Sequence, residues 1–135
     1  PLCRCGIVSV RKDEVILFYG DISSPKKLDF VLVGAYGQGD TMKWRIQFVT
    51  GDVPTCRTGF ILAGFEGQVV LYGGVGPNRC SLDDVHILDP VRWNWVCVYC
   101  SDGDWMRTRN TFGLLDRNRL LLLTTSQIGD KNEEA

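Results

Sequence analysis

The feature that most restricts how this chain can fold is an internal repeat with a period of 52–54 residues. Three arginine-led stretches align: Arg4-Cys5-Gly6-Ile7-Val8, Arg57-Thr58-Gly59-Phe60-Ile61 and Arg109-Asn110-Thr111-Phe112-Gly113, their arginines 53 and 52 residues apart. Gly51-Asp52 and Gly103-Asp104 precede the second and third arginines. A second series agrees. Glu14-Val15-Ile16-Leu17-Phe18-Tyr19-Gly20 matches Gln68-Val69-Val70-Leu71-Tyr72-Gly73-Gly74 at an offset of 54, and Arg119-Leu120-Leu121-Leu122-Leu123 takes that place in a third copy. Leu28-Asp29-Phe30-Val31-Leu32-Val33 parallels Asp83-Asp84-Val85-His86-Ile87-Leu88, and Trp44 parallels Trp95. A period of this length makes each copy one supersecondary unit that buries its apolar face only against its neighbours.

Within each copy the segments are short, rich in Val, Ile, Leu, Phe and Tyr, and bounded by Gly, Pro, Asn and Asp, which is the pattern of strands. No stretch combines a helical period with a capping signal. The expected class is therefore all-β. Strands are expected at 7–10, 15–19, 28–33 and 44–49, then at 60–64, 69–72, 84–88 and 95–99, then at 112–115 and 120–124. This gives two and a half four-stranded antiparallel units, 4–50, 57–100 and 109–125, with a loop insert at 34–41 and a polar tail at 129–135.

Charge narrows the choice of partner. Fifteen Lys and Arg against sixteen Asp and Glu leave a formal charge of −1, so no net field recommends nucleic acid or an anionic membrane. No apolar run approaches the roughly 18–20 residues of a membrane-spanning helix. The chain opens on Pro1, which reads as a cut or processed start. Six cysteines in 135 residues fall below the density of a disulfide scaffold, and no Asn-x-Ser/Thr acceptor occurs. The expectation is reduced thiols and a cytoplasmic or nuclear protein.

Gly73-Gly74 closing a hydrophobic strand, Asp84-Val85 opening the next but one segment, and Trp95 (or Trp93) opening the last resemble the kelch repeat, whose period is about 50 residues. The linker Gly51-Asp52-Val53-Pro54-Thr55-Cys56-Arg57-Thr58-Gly59 is similar to the connection between successive kelch blades. The resemblance implies a partial kelch-type β-propeller of four-stranded antiparallel blades. Copy one departs from it with Tyr19-Gly20 in place of a glycine pair, and copy three with Thr124-Thr125. Propellers close with 4–8 blades. Two and a half leave apolar end faces, so either further blades of a longer chain or self-association is expected. Gly73, Gly74, Tyr72, Asp84, Trp95 and Trp44 are expected to hold the blades together, with the polar tips of Tyr72 and Trp95 reaching partners at an edge.

In a four-stranded meander the loop between strands two and three shares an end with the connection leaving strand four. That end collects 21–27, 75–82, 50–56 and 101–108, and with them Asn78, Arg79, Trp105, Arg107 and the opening arginines Arg57 and Arg109. By resemblance to kelch substrate receptors, this face would bind a protein or peptide partner, its arginines gripping acidic groups through their planar fork. Two readings of Arg4, Arg57 and Arg109 stay open: partner capture, or pairing with Asp52, Asp102 or Asp104 to fix the connection. Trp105 is equally a contact anchor or an inter-blade plug.

Other motifs are weaker. Cys97-Val98-Tyr99-Cys100 has metal-like spacing, but residues three apart on a strand face opposite sides. His86 beside Cys80 or Ser81 matches no nucleophile signature and reads as a satisfied structural histidine. Asp83-Asp84 and Ser101-Asp102-Gly103-Asp104 lack the remaining ligands of a cation site. The glycines of 34–39 lack the lysine and helix of a phosphate cradle. No cofactor is implied. The leading expectation is a protein-interaction module, the alternatives being a propeller enzyme with a small-molecule pocket or a purely architectural blade set. The copper radical oxidase chemistry of some kelch-like propellers is closed off by the single histidine.

Overall fold

A computed structural model describes residues 4–20, 27, 29–99, 108–116 and 119–126. The chain is all-β. Its first sheet is an antiparallel meander of β1 (Arg4–Arg11), β2 (Glu14–Gly20), β3 (Phe30–Tyr36) and β4 (Met42–Phe48). The second repeats it with β6 (Ile61–Phe65), β7 (Gln68–Val75), β8 (Ser81–Asp89) and β9 (Asn94–Tyr99), and adds β5 (Thr50–Gly51) on its outer edge. A hairpin of β10 (Thr108–Asp116) and β11 (Arg119–Ser126) forms the third unit.

The core lies between the first two sheets. Ile16 and Phe18 on β2 and Val31 and Val33 on β3 bury against Val69, Leu71, Leu88 and Trp95 of the second sheet. The Phe18 ring stands edge-on to both Phe60 and Trp95, with centroids 5.2 and 5.9 Å away. Close approach of the sheets needs small residues where they meet: a Cβ on Gly6 would stand 2.6 Å from the Phe60 ring. β1 and β10 both lie beside β6, so the first strands of the three units run together.

Three features differ from expectation. The 34–41 insert is only partly loop: β3 runs on to Tyr36 and β4 starts at Met42, leaving residues 37–41 as a tight turn in which Gly37 N–H donates to the Thr41 carbonyl at 2.8 Å. The third strands align one residue away from the sequence match, since Leu17 pairs with Leu32 where Leu71 pairs with His86. Phe30 therefore occupies the position of Asp84, a shift that on a strand exchanges faces. Trp44 opposite Gly34 does match Trp95 opposite Leu88.

The third difference is β5, which runs parallel to β9 and ties the connection between units to the second sheet. Thr50 N–H donates to the Trp93 carbonyl at 3.0 Å and Asp52 N–H to the Trp95 carbonyl at 2.9 Å. Gly51 between them has φ of 84°, and a Cβ there would stand 2.3 Å from the Trp95 carbonyl oxygen. Replacing Gly51 with Ala should cost about 1–3 kcal/mol, through left-handed strain and overpacking against backbone. Hydrogen exchange checks it: protection should fall first at the Thr50 and Asp52 amides.

Candidate functional site

The connection between units one and two crosses the end of the second sheet, from β9 on the outside to β6 on the inside. Asp52 leads it, exposed, with its carboxylate accepting the Cys97 N–H at 3.1 Å. Val53, Pro54, Cys56 and Arg57 then turn inward and are buried. Two isolated bridges mark what meets here. Lys27, in the connection between β2 and β3, pairs with Thr55, and Thr58 pairs with Val75 at the end of β7. The strand two-to-three connections and the inter-unit linker do share one end of the stack.

Beneath that end lies an ionic junction. Arg57 is completely buried. Its Nε donates to the Thr55 carbonyl at 3.0 Å, and Nη1 donates to the Gly73 carbonyl at 3.1 Å and to Asp84 Oδ1. Nη2 donates to Thr55 Oγ1 at 3.1 Å and to Asp84 Oδ2 at 2.9 Å. A guanidinium has about five N–H donors, and these bonds use all of them. The forked pair with Asp84 is the geometry that arginine, unlike lysine, provides.

The glycine pair makes this junction reachable. Gly73 and Gly74 have φ of 62° and 99°, and the β7–β8 register slips between Tyr72 and Gly74. The resulting bulge offers the Gly73 carbonyl to Arg57. A Cβ on Gly74 would stand 2.7 Å from the Thr58 carbonyl oxygen, so the linker passes directly over that glycine. Arginine, glycine pair and aspartate are far apart in sequence yet meet at this one point.

His86 completes the junction. Its Nε2 lies 2.8 Å from Asp84 Oδ2 and its Nδ1 2.9 Å from the Asp52 carbonyl, while its ring stands edge-on to Trp95 at 6.4 Å. Both nitrogens are engaged by structural partners, which removes His86 as a general base for Cys80 or Ser81. Burial alone would push the Asp84 carboxyl up; the hydrogen bonds from His86 and Arg57, with the charge of Arg57, reverse this and hold it well below the usual carboxylate range. Asp84 is thus depressed in the folded state. It stabilises the fold above its unfolded pKa of about 4, and that contribution drains away as pH falls from there toward the folded value. Urea midpoints should therefore drop between about pH 5 and pH 2 more steeply in the native chain than in Asp84→Asn, which has no carboxylate there to protonate.

The remaining expected site residues divide sharply. Arg57 is corrected outright as a partner-binding residue, since it has neither exposed surface nor a spare donor. Its carboxylate is Asp84 rather than Asp52. Arg79 is exposed at the end of the short 3-10 turn Pro77–Arg79, with φ of 57°. Asn78 lies in the same turn. Arg109 sits at the irregularity of the β10–β11 pairing. Trp105 and Arg107 lie outside the described residues, as do Asp102 and Asp104. Lys27 lies in the 21–27 connection expected at this end but was not singled out there; its bridge to Thr55 sets it, exposed, directly beside the linker.

The motif residues are built in to different depths. Trp95 is 1% exposed, but its Nε1 finds no hydrogen-bond partner among the described residues, contrary to the expected edge contact. Tyr72 is half-buried, and burial together with the charge of Asp83 raises its phenol. Trp44 is largely exposed. Among the described residues no group of three or more His, Cys, Asp or Glu is placed to hold a metal, and no helix is long and apolar enough to cross a membrane. No family profile matches the chain.

Proposed function

We propose that the chain is part of a kelch-type β-propeller acting as a protein-interaction module, and that it takes an acidic protein or peptide segment on the end of the stack where the linker and the strand two-to-three connections converge. The observation that carries this reading is the division of labour at that end. A buried ionic junction fixes the linker from below, while Arg79 and Lys27 stand exposed above it. Such an arrangement positions loop cations on a rigid base, which limits the ordering cost of binding. The stacked four-stranded sheets, the adjacent first strands and the glycine–arginine–aspartate junction support the propeller part.

The reading is tested with an array of short Asp/Glu-rich peptides. Arg79→Glu combined with Lys27→Glu should weaken capture about tenfold or more, the scale of losing one or two charge-assisted hydrogen bonds. Added salt should weaken native capture in parallel. Because both side chains are exposed, the melting temperature should stay within about a degree or two. Capture that ignores the charge reversal would sink the proposal.

A further inference from the structure

Sheet one has an apolar face that no described residue covers. Met42, Trp44, Ile46 and Phe48 alternate along β4 onto the side away from sheet two, while Lys43, Arg45 and Gln47 take the other. The β3 and β2 partners continue the face: Leu32 opposite Ile46, Leu17 opposite Leu32, and Ile7 opposite Leu17. Ile7, Trp44, Ile46 and Phe48 are 57, 47, 59 and 68% exposed. Contiguous apolar surface of this kind marks an interaction site.

The molecule itself shows what fits there. Strand pairing makes this face the counterpart of the side of sheet two that unit one covers: Leu17 opposite Leu32 and Gly34 opposite Trp44 correspond to Leu71 opposite His86 and Leu88 opposite Trp95. In unit two that side is closed by the β2 residues Ile16 and Phe18, and Trp95 is reduced to 1% exposure. Trp44, at the same register position, has no such cover among the described residues. The positions that would supply it recur in unit three. Counting from the hairpin turn, Leu121 and Leu123 stand on β11 where Ile16 and Phe18 stand on β2.

Building on the repeat-stack reading above, we infer that the outward face of sheet one seats the β10–β11 hairpin of a second copy of this chain, head to tail, reproducing between molecules the contact that unit one makes with unit two. Such an interface is heterologous: each copy offers one receiving and one donating surface.

The test is sedimentation velocity on the full chain with a thiol reductant present, from about 1 to 100 µM, a range that brackets micromolar association. The native chain should grow in mean mass with concentration. Ile46→Asp on the receiving face and Leu123→Asp on the donating hairpin should each stay single at about 100 µM, a loss of at least tenfold in affinity. Mixed in equal amounts, the two variants should form one-to-one pairs, because each retains the surface the other has lost. Trp44→Ser, at a second exposed site, serves as receiving-face partner if Ile46→Asp misfolds, and Leu121→Asp likewise replaces Leu123→Asp. A native chain that stays single throughout overturns the inference. So does a Leu123→Asp chain that folds and still self-associates, which means two sheet-one faces meet each other. Arg79→Glu should associate as the native chain does, so peptide capture and self-association fail independently.

Discussion

Replacing Arg57 with Met should destabilise the fold by about 3–5 kcal/mol, the cost of removing one partner of a buried ion pair. Asp84 would keep its place beneath the linker, with its side chain 15% exposed and only His86 left to answer its charge. The Gly73 carbonyl and Thr55 would lose their donor as well. A loss of this size is a large share of the total stability of an ordinary domain, so much of the variant should be unfolded or aggregated at 37 °C. Adding Asp84→Asn should recover part of the loss, because the unpaired charge goes with it. Urea denaturation of the native chain, both single variants and the double variant checks this, with an expected coupling of about 1–3 kcal/mol. An Arg57→Met chain of native stability that loses only peptide capture would return Arg57 to the binding surface.

Trp95→Ala should cost a comparable 3–5 kcal/mol, from transfer of a large buried side chain and the cavity left behind. Phe18 would lose one of its two ring partners, and His86 the ring it stands against. Since Trp95 belongs to sheet two and Phe18 to sheet one, the loss falls on the contact between units. The thermal transition should broaden as the sheets begin to melt separately. Trp95→Phe should cost clearly less, because Nε1 holds no partner that its removal would strand. Calorimetry distinguishes these outcomes. Fluorescence gives a second readout, since removing this buried indole should shift the mean tryptophan emission to the red.

The strands were legible because each is a run of apolar and aromatic residues cut off by glycine or a polar turn, and the tight hairpins after Arg11 and Phe65 hold the register of the first two strands in each unit. Past Gly20 the copies differ in loop length. The match of Asp29 to Asp84 therefore slid by one residue, and Phe30 replaced the expected carboxylate. The partner of Arg57 was illegible for a related reason. Sequence proximity favoured Asp52, whereas a glycine bulge and a strand 27 residues away bring Asp84 beneath the guanidinium. Composition marked the loop end as polar, but only folding separates the exposed Arg79 from the buried Arg57.

Where one module stops and the next starts is decided by β5. The sequence period invites a cut just before Arg57, yet Thr50 and Gly51 are already members of the second sheet, and the Asp52 carbonyl and carboxylate serve His86 and Cys97. Unit two excised from residue 57 would lose its outer edge strand and a ligand of its ionic junction together. Excised from residue 50, it would carry both with it. The transferable module is thus out of phase with the repeat in the text, beginning about seven residues earlier, and any graft, permutation or shuffling of these units has to follow that phase.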